Sequence, residues 1–456
     1  MSPARRKTGP ERSPLFPGTL KVALRVKLDV AAFCLVALCA LAACSTGTVP
    51  PPAPPSQPQA VAPELMQNRV GVLVPLSGPA QALGEDMLKA AEMALFDVGA
   101  NDLVLLPRDT GGTAVGARDA AQQVIDDGAR LIIGPLFSQA VTGVTPVAQQ
   151  ARVPVLAFSN VASVAAENTY LLGFRPEEQV ARVVRYALAQ EGIVRIAGLA
   201  PDDAYGAAAL QALRQAVVEM GGEIGPTLFY PPDLSDPSVV VREVAAYDER
   251  RAALEAERAK LEGRDDEASR RALERMAQLD TFGPPPFDAI LIADGGDRLR
   301  SVASLLTFYD VDPGTIRFLG TMRWQDDPRV LAESALQGGW FAGPAPTRMA
   351  AFERRFENAF GTRPQTLAAL AYDATALAVV VARELGDEEY QAATLVNPQG
   401  FAGASGLFRL RPDGLAEHGL AVLEISGGNV RVLEPPPESF VVGMAERETP
   451  AAAPVP

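Results

Sequence analysis

Residues 70–97 read VGVLVPLSGPAQALGEDMLKAAEMALFD. The apolar run Val70–Val74 leads into Pro75, then Ser77-Gly78-Pro79, then a long segment with apolar residues at helical spacing. That order predicts a strand, a tight turn and a helix whose N-terminus faces back over the strand end. The first turn of a helix leaves backbone N–H groups without intrahelical partners, so such a turn attracts an anionic group. Ser77 and Gly78 are therefore candidate ligand contacts. Helix caps and short turns also use Gly, Pro and Ser whatever the ligand, so a purely structural role fits them equally.

The same alternation continues outward. DLVLLPRDT precedes a helix near 114–127, ARLIIGP a helix over 138–150, and VPVLAFS ends at Ser159. A second series starts with VRIAGLAPDDAYG and a helix over 204–220, continues through EIGPTLFY, and then runs FDAILIADGGD, a helix over 297–308, and TIRFLGT. Buried apolar strands alternating with amphipathic helices imply parallel sheets covered on both faces. Two such series predict an α/β protein of two doubly wound lobes, and ligands of such sheets sit beyond the carboxyl ends of the strands. Residues 241–280 break the rhythm, because twenty of the forty are charged. Tyr247, Leu254 and Leu261 recur every seven residues, and Gly263 stands where a first helix would end. The segment reads as an inserted helical hairpin with a narrow apolar seam, supported weakly by the i,i+4 pairs Glu267–Arg271 and Asp266–Arg270. It is either a solvated projection or an arm for a partner.

The ends differ from the middle. Residues 1–43 carry seven Lys/Arg and two acids, and the apolar run Val30–Ala43 is short for a membrane span but suits a signal peptide. Leu41-Ala42-Ala43-Cys44 resembles a bacterial lipobox, which makes Cys44 the expected lipidation site and joins the chain to a membrane. Ser45 then resembles an outer-membrane sorting residue, so the expected location is the periplasm-facing cell envelope. Residues 44–67 are rich in proline and read as an extended tether. Residues 435–456 read as a peripheral wrap that becomes a disordered tail.

Several chemistries are excluded. Without residues 1–43 the chain has 34 Lys/Arg against 53 Asp/Glu, a formal charge of −19, so a nucleic acid would be repelled. All three cysteines lie at or before Cys44, which removes thiol nucleophiles, disulfides and Cys-rich zinc sites from the globular part. The single histidine, His418, follows an Asp-Gly turn signal and reads as a surface residue. Hydrolase, metalloprotease and P-loop motifs are absent. Asp202-Asp203, Asp294/Asp297 and Asp326-Asp327 match no metal-binding loop and read as turn residues. The expectation is a protein that is not an enzyme and uses no cofactor or metal.

VGVLVPLSGPAQALGEDMLKAAEMA, LIIGPLFSQAVTGVTPVAQQARVPVLAFSN, APDDAYG and LAALAYDATALA resemble the type I periplasmic binding proteins of the Leu/Ile/Val-binding branch. The likeness covers most of residues 68–432. It implies two Rossmann-like lobes joined by a three-strand hinge, with lobe 1 over 68–185 and 345–398 and lobe 2 over 186–344 and 399–434. FYDVDPGTIRFLGTMRWQDDP, ALQGGWFAGP and the charged hairpin are similar to lipoproteins that activate penicillin-binding proteins. That likeness implies a regulator of a peptidoglycan synthase. The alternative partner is an ABC permease, with the chain as solute receptor for an amino acid or a small anion.

Carried over residue by residue, the resemblance implies that Ser138 meets a ligand carboxylate and that Ser163 stands at a family threonine. It also makes Tyr205 a cleft tyrosine, while Asp297 replaces a second cleft aromatic. The acid that pairs the ligand ammonium falls at Met322 and Arg323 instead. An unpaired buried charge costs about 3–5 kcal/mol, roughly two to three orders of magnitude in affinity. A tight site for a free α-amino acid is thereby disfavoured unless Asp294 or Asp297 reaches in.

Overall fold

The computed structural model describes residues 68–440, apart from 101–102, 191, 234–235, 326, 386–389 and 391. The signal peptide, Cys44, the tether and the tail beyond 440 lie outside the described residues. The first sheet is built by β1 (Asn68–Val74), α1 (Gln81–Val98), β2 (Leu103–Asp109), α2 (Ala114–Asp126), β3 (Leu131–Ile133), α3 (Ser138–Ala151), β4 (Val155–Ala157) and β5 (Thr169–Leu171). Its strands are all parallel, in the order β2-β1-β3-β4-β5. Alternate residues of one strand serve opposite faces, as strand geometry dictates. Val70, Val72 and Val74 join the cluster with α1, whereas Leu73 packs among the alanines of α2 and α3. Gly84 lets α1 close on the strand end, since a Cβ there would stand 1.9 Å from the Pro75 carbonyl oxygen.

The chain then passes through α4 (Pro176–Leu188), β6 (Arg195–Pro201), α5 (Ala204–Glu219), β7 (Glu223–Tyr230), α6 (Ser238–Val244), α7 (Tyr247–Glu262) and α8 (Glu267–Met276). It continues through β8 (Ala289–Ile292), α9 (Gly296–Phe308), β9 (Arg317–Thr321), α10 (Pro328–Leu331) and β10 (Trp340–Gly343). It returns to the first sheet with α11 (Pro346–Phe360), α12 (Ala368–Leu385) and α13 (Ala392–Leu395), where α12 lies along α1. The last strands are β11 (Phe401–Ala402), β12 (Leu407–Leu410), β13 (Ala416–His418), β14 (Ala421–Ser426) and β15 (Asn429–Glu434). The second sheet has the order β15-β14-β10-β9-β8-β6-β7, parallel from β10 to β7 and antiparallel at β14 and β15.

Each sheet has a point where the strand order reverses, between β1 and β3 in one and between β6 and β8 in the other. Crossovers leave such a point in opposite directions and open a crevice at the strand carboxyl ends. The chain passes between the sheets three times: after β5, after β10, and through β11–β13 into β14. The third passage is a small antiparallel sheet rather than a plain strand, and Leu415 bridges it to Leu171 of the first sheet.

Three expectations need correction. The division at 185/186 assigns α4 largely to lobe 1, but α4 packs on α5, β9 and β10 of the second sheet. Its buried Val180, Val183, Val184 and Ala187 require that apolar face. The hairpin forms as α7 and α8, ends its first helix at Gly263 and buries Leu254. The pair Glu267–Arg271 forms, yet Asp266 caps α8 through the Ser269 N–H instead of pairing with Arg270. Residues 435–440 are ordered against the fold: Arg182 donates to the Pro435 carbonyl, and the Arg409 guanidinium lies 4.7 Å from the centre of the Phe440 ring.

Candidate functional site

Between the strand ends of the two sheets lies a cleft of about 480 Å³. The loops and helix starts that follow β3, β4, β5, β6 and β9 all contribute to it. The first sheet supplies Leu136, Phe137, Ser138 and Gln139 after β3, then Phe158 to Val161 after β4; α1 and the segment before α12 add Leu83 and Leu367. The first passage between sheets adds Gly173 and Phe174. The second sheet adds Tyr205, Met322 and Arg323, with Gln179 of α4 at the floor.

Ser138 is the first residue of α3, and Phe137 at the cap position has no side chain able to satisfy the helix start. The hydroxyl and the first-turn N–H groups of α3 therefore meet in the cleft, which favours a negative group. Gln139 braces this helix start by donating to the Gly112 carbonyl at 2.7 Å.

Across from it, Asp203 caps α5 by accepting from the Gly206 N–H, which brings Tyr205 of the first turn to the cleft. The Tyr205 hydroxyl donates to Thr321 Oγ1 at 3.0 Å, and the Arg323 guanidinium stacks on its ring, 3.5 Å from the centroid. Burial pushes the Tyr205 phenol above its ordinary value, against the opposing pull of Arg323. Arg323 is the only charged side chain among the lining residues.

Asp294 does not reach in. It is 1% exposed and accepts two bonds from Arg298, at 2.7 and 2.9 Å, one from Tyr230 at 2.8 Å and one from the Gly295 N–H. With those donors in place it has no capacity left for a ligand amine. Glu177, at the start of α4, is close enough to Tyr205 to act on it electrostatically, but it lines a different cavity.

Of the residues expected from sequence, Ser138 and Tyr205 line the cleft. Ser77 and Gly78 do not. Their turn is held by Asp109, whose Oδ1 accepts from the N–H groups of Leu76 and Gly111, both at 2.8 Å. Burial opposes ionisation of Asp109, but the bonds from the Ser77 hydroxyl and from the backbone N–H groups outweigh it and hold the carboxyl below its ordinary value. The anion expected at that turn is thus supplied by the protein itself. Ser163 sits exposed in a short 3-10 turn and is not a lining residue; Ser159, Asn160 and Val161, just before it, take the wall. Asp297 points to the surface and pairs with Arg300 and Arg329.

Gln179 and Phe174 carried no sequence signal. Gln179 is 1% exposed; it accepts from the Met322 N–H at 2.9 Å and donates to the Phe174 and Arg175 carbonyls. One amide thus ties the first passage between sheets to the end of β9. His418 does not lie at the surface, where its turn signal places it. Its side chain is buried, its Nδ1 lies 2.9 Å from Glu178 Oε1, and its ring packs on Phe174 at 4.5 Å. Behind α4 a second cavity of about 680 Å³ contains Glu178, Arg182, His418 and Glu434. Its charges already answer one another, as in Arg182–Glu434 at 2.8 Å, and it lies away from the strand ends.

Two doubly wound lobes with a partly polar cleft at their strand carboxyl ends define a protein built to hold a small solute. The chain belongs to the periplasmic binding protein family, whose model matches residues 67–429, and its two lobes have the type I fold of that family. Solved structures agree with this fold. A branched-chain amino acid ABC transporter periplasmic ligand-binding protein from Burkholderia xenovorans is 18% identical, with a TM-score of 0.61 over 81% of this chain and 96% of that one. A leucine-binding protein from Thermotoga maritima is 18% identical, TM-score 0.55, over 80% and 97%. An ABC transporter solute-binding protein from Rhodopseudomonas palustris, in complex with 3,4-dihydroxybenzoic acid, is 17% identical, TM-score 0.57, over 81% and 96%. No curated protein matches the chain. Family membership implies a periplasmic or envelope location.

Proposed function

We propose that this chain is the solute-binding component of an ABC importer, anchored to the envelope through Cys44 and specialised for small anions rather than free amino acids. One observation carries the reading. The cleft sets Ser138 and the start of α3 opposite Arg323, and no acid stands among its lining residues. An α-amino acid needs a counter-charge for its ammonium, and here a guanidinium occupies that side. The apolar walls of Phe137, Phe158, Phe174 and Leu367 suit a hydrocarbon or aromatic body. The benzoate-type ligand of the Rhodopseudomonas relative has that chemistry.

A thermal-shift screen of carboxylates and amino acids tests it. A ligand present at 100 times its Kd stabilises the folded chain by about 2.7 kcal/mol, a shift of a few degrees in Tm. The expected outcome is such a shift with at least one carboxylate. No shift with any carboxylate or amino acid removes the receptor reading.

A second reading, regulation of a peptidoglycan synthase, is supported by the α7–α8 hairpin. Apart from Leu254, Arg250 and Ser269, it presents mostly exposed and half-buried side chains. Pull-down of a bifunctional penicillin-binding protein by the intact chain, lost when 252–279 is replaced by a short turn, would support that role. Failure to capture any synthase removes it.

A further inference from the structure

We infer that the ligand is a dianion, a short dicarboxylate whose two ends are gripped by opposite lobes. The inference rests on the solute-receptor reading and names the substrate class of that same cleft. On one side stand the Ser138 hydroxyl and the uncapped start of α3, a 14-residue helix. That feature alone accounts for one carboxylate.

The second side is Arg323. Its guanidinium carbon lies over the Tyr205 ring, 3.5 Å from the centroid, and its side chain is 39% exposed. Asp294 is 4.0 Å away and already accepts from Arg298, Tyr230 and the Gly295 N–H. Among the described residues, Arg323 forms no hydrogen bond through its guanidinium. A planar cation with free N–H groups, fixed in place by stacking, is matched to a carboxylate and hostile to an ammonium. Apolar Phe137, Phe158 and Phe174 line the same cleft. The pattern from one lobe to the other is anion-binding, apolar, anion-binding. A zwitterionic ligand would place its amine against Arg323, whereas a dicarboxylate satisfies both ends.

Titration calorimetry on the intact chain, with matched probes, tests this. Adipate against hexanoate and terephthalate against benzoate differ only in the second carboxylate. The expected result is tighter binding of one dicarboxylate than of its partner by roughly 10- to 100-fold, the range of one charge-assisted hydrogen-bonded contact. Arg323→Met should bring that dicarboxylate down to the affinity of its partner, and Arg323→Lys should retain part of the difference. Arg323→Glu should reverse the selection and favour leucine over all four probes. An unchanged thermal transition for each variant shows that folding is intact. If monocarboxylates bind as tightly as dicarboxylates, or if Arg323→Met leaves the preference in place, the inference fails while the receptor reading stands. If no probe and no amino acid binds, both fail.

Discussion

At the scale of single residues, Asp109 shows how an apparent ligand site can be filled from within. Its carboxylate holds the Leu76 and Gly111 N–H groups, and the Ser77 hydroxyl bonds to it as well. Asp109→Asn replaces one acceptor oxygen with a donor, so it should destabilise the chain by about 1 kcal/mol at neutral pH. Because the folded carboxyl titrates below its ordinary value, the stability it contributes is present above the unfolded pKa and is lost as pH falls through the folded one. The gap between wild type and variant in urea denaturation should therefore shrink from pH 7 to pH 3; a gap that widens in acid would contradict the assignment. The sequence could signal an anion at Ser77-Gly78-Pro79, because those residues reveal a turn and a helix start. It could not reveal that the anion was Asp109, 33 residues from Leu76, since that depends on which strand lies beside β1.

At the scale of elements, the helices expected near 114–127 and over 138–150, 204–220 and 297–308 form within about one residue of those bounds, because 3.6-residue periodicity is a local property, whereas α4 and α11 carried no expectation. β11 to β13 were not. β11 has two residues and β13 three, too short to establish alternation, and their burial comes from α12 and the first passage between sheets. The burial of His418 is invisible to local pattern for the same reason, because it depends on Glu178 and Phe174, some 240 residues earlier. The hairpin was visible as a charge run, but its attachment was not. Arg250 anchors it by donating to the Gly283 carbonyl at 3.1 Å and to the Asp310 carbonyl at 3.0 Å, with only 8% of the residue exposed. Arg250→Met removes the donor to both carbonyls, which belong to exposed residues that water can reach, and should cost roughly 1–2 kcal/mol in urea denaturation, with an unchanged m-value. A loss below about 0.5 kcal/mol would show that the hairpin root is not held in this way.

At the scale of the whole molecule, one apolar cluster runs from β1, β3 and α1 through Phe174 and α4 to β6, β8 and β9. The two lobes therefore share part of their core at the passages between sheets, and Gln179 adds a buried polar tie from α4 to the end of β9. Gln179→Ala removes the acceptor of the Met322 N–H and should destabilise the chain by about 1–3 kcal/mol. It should also weaken ligand binding, because Met322 and Arg323 lose their support; binding unchanged in a destabilised variant would separate that tie from the site. The two-lobed architecture was readable from strand and helix alternation. The sign of the cleft was readable only in part, since Ser138, Met322 and Arg323 could be placed from the resemblance while the saturation of Asp294 could not.

With Ser138 and the start of α3 on one wall and Arg323 on the other, the cleft is expected to accept a carboxylate and to reject an amine beside it. Leucine and 4-methylpentanoate share a carbon skeleton and differ in the amino group alone, so calorimetry with this pair measures that selection directly. The expected result is that 4-methylpentanoate binds at least 10-fold more tightly than leucine. Tighter binding of leucine would contradict it.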